Sequence, residues 1–119
     1  MNSKKIFVCD DDEGIIDLIG IILESAGYEI ILETNSLNAR SVIEREKPDL
    51  IITDLWMPVV SGDQIVRMVR NSSEIMHTPI LVISASRDGE EIAMGCGASA
   101  FLGKPFELDG IVNQVEKLI

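Results

Sequence analysis

Apolar positions along this chain fall into two rhythms. Short continuous runs come first: Lys4 to Cys9, Glu29 to Thr34, Leu50 to Thr53, Ile80 to Ile83 and Ala100 to Leu102. Rich in Ile, Val and Leu and bounded by turn residues, these read as strands. Between them apolar residues recur at helical spacing. Ile15, Leu18, Ile19, Ile22 and Leu23 predict an amphipathic helix over Glu13 to Ser25, stopped by Gly27. Asn35 or Ser36 can cap a second helix that runs to about Glu46, before Pro48. Gly62 to Arg70 predicts a third, with Ile65, Met68 and Val69 inward. Gly89 to Met94 predicts a short fourth, weakened by Gly95 and Gly97. Glu107 to Lys117 predicts the last, with Leu108, Ile111, Val112 and Val115 on one face. Strands and helices therefore alternate. Because the strands are continuous rather than alternating apolar runs, both sheet faces are expected to be covered, as in a parallel α/β sheet.

The polar residues interrupt this pattern at one kind of place. Asp10 and Asp11 follow the first strand, Asp54 the third, Ser84 the fourth and Lys104 the fifth. In a parallel sheet these ends share one edge, where open α/β folds place their chemistry. Each residue alone has a plainer reading. Asp54 could cap a turn, the Asp10 to Glu13 run could complement a helix dipole, Ser84 could cap a loop, and Lys104 could be a solvated lysine. Together, at four strand ends in order, they make a constellation.

Composition narrows the rest. At 119 residues, one domain over 1–119 is expected. A 46% hydrophobic and 25% charged composition suits a globular chain. Twenty acidic against ten basic residues give a formal charge of −10, which repels nucleic acid and favours cations and basic partner surfaces. Cys9 and Cys96 form no CxxC pair and read as buried free thiols, in keeping with a reducing compartment. No signal peptide or membrane-spanning run is evident. The lone histidine, His77, falls in an expected loop and reads as a surface residue.

Two carboxylates about 4 Å apart at an effective dielectric near 20 repel by roughly 4 kcal/mol. Asp10, Asp11 and Asp54 gathered together need a cation or must stay partly protonated, and an all-oxygen set suits a hard ion such as Mg²⁺. Carboxylate, hydroxyl and ammonium around such a site point to phosphoryl transfer, with the carboxylate as nucleophile. The chain has neither a Walker P-loop nor a GxGxxG turn, so nothing supports nucleotide binding.

The segments Val8-Cys9-Asp10-Asp11-Asp12-Glu13, Thr53-Asp54-Leu55-Trp56-Met57-Pro58, Val82-Ile83-Ser84-Ala85 and Phe101-Leu102-Gly103-Lys104-Pro105-Phe106 resemble the signatures of response-regulator receiver domains. The resemblance spans Lys4 to Ile119. It implies a flavodoxin-like, doubly wound sheet of five parallel strands, order 2-1-3-4-5, with five helices. It implies Asp54 as phosphoacceptor and Mg²⁺ held by Asp10, Asp11, Asp54 and the backbone carbonyl of Trp56. Ser84 takes the switch hydroxyl position, Lys104 the phosphate-binding lysine, and Phe101 the aromatic switch. The Lys104-Pro105 bond is similar to one that is cis in the family. The implied donor is a phosphohistidine on a sensor kinase or phosphotransfer protein, and the implied target is an output domain or effector. No enzyme activity is implied beyond the domain's own phosphorylation and slow dephosphorylation. The implied location is cytoplasmic, alone or as the cytoplasmic part of a larger protein, without membrane or direct nucleic-acid contact.

Two departures from the family pattern carry expectations. The Ser84 to Lys104 interval is short and glycine-bearing, which predicts a short or irregular fourth helix. Trp56, two residues after Asp54, is expected to shield the acyl phosphate from water. Two other readings exist: a haloacid-dehalogenase-like phosphatase with Asp10 as nucleophile in Asp10-x-Asp12, and a receiver-like docking module that is never phosphorylated.

Overall fold

The structure is a computed structural model and describes residues 3–119. Its elements follow the alternation in the sequence: β1 (Lys5–Cys9), α1 (Glu13–Ser25), β2 (Glu29–Glu33), α2 (Ala39–Glu46), β3 (Leu50–Asp54), α3 (Gly62–Arg70), β4 (Ile80–Ser84), α4 (Gly89–Cys96), β5 (Ala100–Gly103) and α5 (Leu108–Leu118). The five strands are parallel, in the order β2-β1-β3-β4-β5.

Successive side chains of a strand point to opposite faces, and that alternation builds two cores. Phe7, Cys9, Ile51, Ile80 and Val82 face one side, packed by Val42 and Ile43 of α2, Ile65, Val66 and Val69 of α3, and Ala93 of α4. Ile6, Val8, Leu50, Ile52, Leu81 and Ile83 face the other, covered by Ile16, Ile19 and Leu23 of α1 and Ile111 and Val115 of α5. Both faces of β3 and β4 are fully buried, as their continuous runs predict. The edge strands differ: β2 and β5 are only partly covered, and each has a neighbouring strand on one side alone. Leu32 is 41% exposed at the β2 edge.

Helix ends explain where the chain turns. Asp12 caps α1, its side chain accepting the Ile15 N–H at 3.2 Å. Ser61 and Gln64 form a capping box for α3. Asn35 caps not an α-helix but a 3-10 turn, Ser36–Asn38, after which α2 begins at Ala39. The fourth helix is short, at eight residues, ending at Gly97 with φ +113. There Arg70 closes the fold: its guanidinium donates to the carbonyls of Gly97, Met76 and Thr78 and to Ser99 Oγ.

Candidate functional site

The parallel sheet delivers Asp10, Asp54, Ser84 and Lys104 to one edge: Asp54 and Ser84 are the last residues of β3 and β4, and Asp10 and Lys104 directly follow β1 and β5. Asp10 is fully buried. Its Oδ2 accepts a hydrogen bond from Lys104 Nζ at 2.9 Å, and its Oδ1 accepts from the Asp12 N–H at 3.0 Å. Asp54 closes β3 and is 8% exposed. Its Oδ1 accepts from the Leu55 N–H at 2.9 Å and lies 3.5 Å from Lys104 Nζ. Asp11 is exposed, yet one carboxylate oxygen from each of Asp10, Asp11 and Asp54 lies within 4.8 Å of the others. Ser84 is buried, its Oγ accepting the Ser86 N–H at 3.1 Å, while its carbonyl accepts from the Lys104 N–H at 2.8 Å. That last bond ties the end of β5 to the end of β4.

The remaining residues sort themselves around this cluster. Trp56, two residues after Asp54, is 52% exposed. Phe101 is half-buried, its ring against Gly89: a Cβ there would lie 3.0 Å from the ring and 3.1 Å from Ser84 Cβ. Lys104-Pro105 is cis. His77 is exposed, between α3 and β4. Cys9 is buried, and Cys96 only half-buried, because the end of α4 is less covered. Desolvation pushes the Cys9 thiol up to about 12, so it is no nucleophile at neutral pH.

Charge is crowded here. Burial, then the neighbouring Asp10 charge, push Asp54 up to about 6, against the opposing pull of Lys104. For Lys104 burial acts downward, but the hydrogen bond and charge of Asp10, with the charge of Asp54, outweigh it and hold its pKa above the usual lysine value. A single ammonium thus faces a buried carboxylate pair with a third carboxylate beside it. This oxygen-only set, incompletely neutralised, fits a hard divalent cation.

The same geometry weighs against the phosphatase reading. Asp12, its second acid, is spent on capping α1, and Asp10 is buried and paired with Lys104. Two contributors escaped the sequence reading. The Leu55 N–H orients Asp54, and no residue type signals that. Gly62 reads as a loop marker, but its close approach is tertiary: a Cβ there would lie 2.2 Å from the Asp54 carbonyl oxygen.

The sequence profile of the response regulator receiver domain matches residues 6–116. The chain belongs to that family. This receiver is 28% identical over 119 residues to the polar-differentiation response regulator DivK of Brucella anthropi, covering 98% of this chain and 96% of DivK. It is 31% identical to the phosphate regulon transcriptional regulatory protein PhoB of Pseudomonas aeruginosa over all of this chain, but spans only 53% of PhoB. Among solved structures, the chemotaxis protein CheY4 of Vibrio cholerae superposes with a TM-score of 0.91 at 28% identity, covering 99% of this chain and 100% of that one. Receiver domains are phosphoacceptor signalling units served by kinases or phosphotransfer proteins, and the phosphatase and docking-module readings are not favoured. Among the described residues no helix is long and apolar enough to cross a membrane.

Proposed function

We propose that residues 1–119 act as one receiver unit in which Asp54 accepts a phosphoryl group from a phosphohistidine of a sensor kinase or phosphotransfer protein. The observation that carries the reading is the placement of Asp54: at the end of a fully buried strand, nearly buried itself, beside the Lys104 ammonium and the Asp10 and Asp11 carboxylates. Asp10, Asp11, Asp54 and the Trp56 carbonyl would hold Mg²⁺, which supplies positive charge to the phosphoryl oxygens when bound.

The chain's own groups perform the remaining work. A carboxylate oxygen of Asp54 attacks phosphorus, and the imidazole of the donor leaves. The Leu55 N–H, bonded to Oδ1, fixes the rotation of the carboxylate. Lys104, held by Asp10, offers its ammonium to a phosphoryl oxygen, where charge develops. The Ser84 hydroxyl bonds another, and the space it vacates lets Phe101 turn inward, altering the face built by α4, β5 and α5. Trp56, two residues after Asp54, restrains water from the acyl phosphate. On this reading the domain catalyses only its own phosphorylation and slow dephosphorylation. It is cytoplasmic, alone or within a larger protein, and acts through an output domain or effector without binding nucleic acid itself.

Intact-mass spectrometry after incubation with Mg²⁺ and acetyl phosphate tests this. A phosphoryl adduct is expected on the wild type, absent from Asp54→Asn and reduced but not relocated in Asp10→Asn. An adduct that survives Asp54→Asn and vanishes in Asp10→Asn contradicts it.

A further inference from the structure

The loop between β3 and α3 contains a backbone conformation that its sequence disfavours. Val59 has φ +74, and the Val60 N–H donates to the Pro58 carbonyl at 2.9 Å. An i-to-i+2 bond around a positive φ is the rarer and strained form of γ-turn. For a β-branched residue it is a real outlier that persists only where surroundings over-determine it. Val59 is 71% exposed, so packing does not hold it.

What holds it is Ser36. The Ser36 hydroxyl donates to the Pro58 carbonyl at 2.7 Å and is approached by the Val60 N–H at 3.1 Å. One side chain therefore clasps both peptide groups that flank Val59. Ser36 is 5% exposed and fixed in turn. It opens the 3-10 turn capped by Asn35, whose N–H is bonded to Glu33 at the end of β2. The clasped turn begins at Pro58, two residues beyond Trp56 and four beyond Asp54. On the other side Gly62 closes the loop, its N–H donating to the Leu55 carbonyl at 2.7 Å.

We propose that Ser36 is a positioning residue for the acceptor site. By clasping the Pro58–Val60 turn it fixes the path of the loop that carries the Trp56 carbonyl, and so sets how well the site receives Mg²⁺. This rests on the metal reading given above. Ser36 touches neither the metal nor the phosphoryl group. It acts through the backbone, as outer hydrogen-bond partners of metal ligands do.

Trp56 is the only tryptophan and lies in this loop, so its fluorescence reports Mg²⁺ binding directly, without phosphorylation. Titrations with MgCl₂ would compare wild type, Ser36→Ala, Val59→Gly and the double variant. Ser36→Ala is expected to weaken Mg²⁺ binding by about tenfold. Glycine adopts positive φ without strain, so Val59→Gly should stay within about twofold of wild type. In that background Ser36→Ala should cost no more than about twofold. If Ser36→Ala fails to fold while the double variant folds and binds, the clasp is likewise supported. If Ser36→Ala lowers the melting temperature yet leaves Mg²⁺ affinity unchanged, the proposal is overturned. It is equally overturned if Ser36→Ala has the same effect in the Val59→Gly background as in the wild type. A wild type that binds no Mg²⁺ removes the metal reading itself, a distinct result.

Discussion

The two halves of the carboxyl edge are built differently. Around β1 and β3 the site rests on backbone: Asp54 is oriented by the Leu55 N–H, Gly62 lies against the Asp54 carbonyl, and Asp10 is fully buried under Lys104. Around β4 and β5 one backbone bond, from the Lys104 N–H to the Ser84 carbonyl, is joined by side chains and short elements. There α4 has eight residues, β5 is partly covered, and the Phe101 ring lies on Gly89 beside Ser84. Rigid packing favours a fixed acceptor, and thin coverage favours an element with two arrangements. The first half is suited to chemistry and the second to response.

The contrast is most exposed at its glycines. Gly62→Ala would drive a methyl group to 2.2 Å from a backbone oxygen that cannot move without displacing Asp54. It should destabilise by about 4 kcal/mol in urea unfolding and abolish phosphorylation. Lys104→Met comes next. It leaves Asp10 buried without its partner, at a cost of about 3 kcal/mol in chelator, part of which Mg²⁺ should restore.

Asp54→Asn acts in the opposite direction. The folded-state pKa of Asp54 lies above the ordinary carboxylate value, so the fold disfavours its ionised form. Its contribution is therefore fully present below about pH 4 and is lost as pH rises through about 6. A neutral isostere should raise stability at neutral pH, without Mg²⁺, by about 2 kcal/mol and flatten the pH dependence in that window. Unfolding curves of both proteins across the window check the sign. Equal slopes would show that the acceptor half is not charge-strained.

Smaller effects belong to the other half. Gly89→Ala meets the Phe101 ring and Ser84 Cβ first, and a ring can turn, so about 1 kcal/mol is expected, with the ring displaced in a crystal structure. A cost equal to that of Gly62→Ala would erase the distinction. Trp56→Ala, at an exposed position, should change stability by less than about 0.5 kcal/mol while speeding loss of the phosphoryl group several-fold. An unchanged dephosphorylation rate would remove the shielding role.

These differences were unevenly legible in the sequence. The central strands announced themselves because burial on both faces writes a continuous apolar run, as in Ile80 to Ile83. The bounds of α1 and α3 were legible because their stop and start signals, Gly27 and Gly62, are local. The strand-end residues were legible because a parallel sheet converts chain order into spatial convergence. Nothing local separates Asp12, which caps a helix, from Asp10, which sits in the site. The Ser36 clasp spans more than twenty residues and read only as a candidate cap. The partial exposure of β2 and β5 depends on which strands lie at the edge. The nearness of Gly89 to Phe101 depends on two segments meeting.

Hydrogen–deuterium exchange on the wild type, with and without acetyl phosphate in Mg²⁺ and with Asp54→Asn as control, tests most directly whether one half accepts and the other responds. Phosphorylation is predicted to alter exchange across 84–103, to leave β1 and β3 unchanged, and to do neither in Asp54→Asn. Changes of equal size in β1 and β3, or a response that persists in Asp54→Asn, would contradict the account.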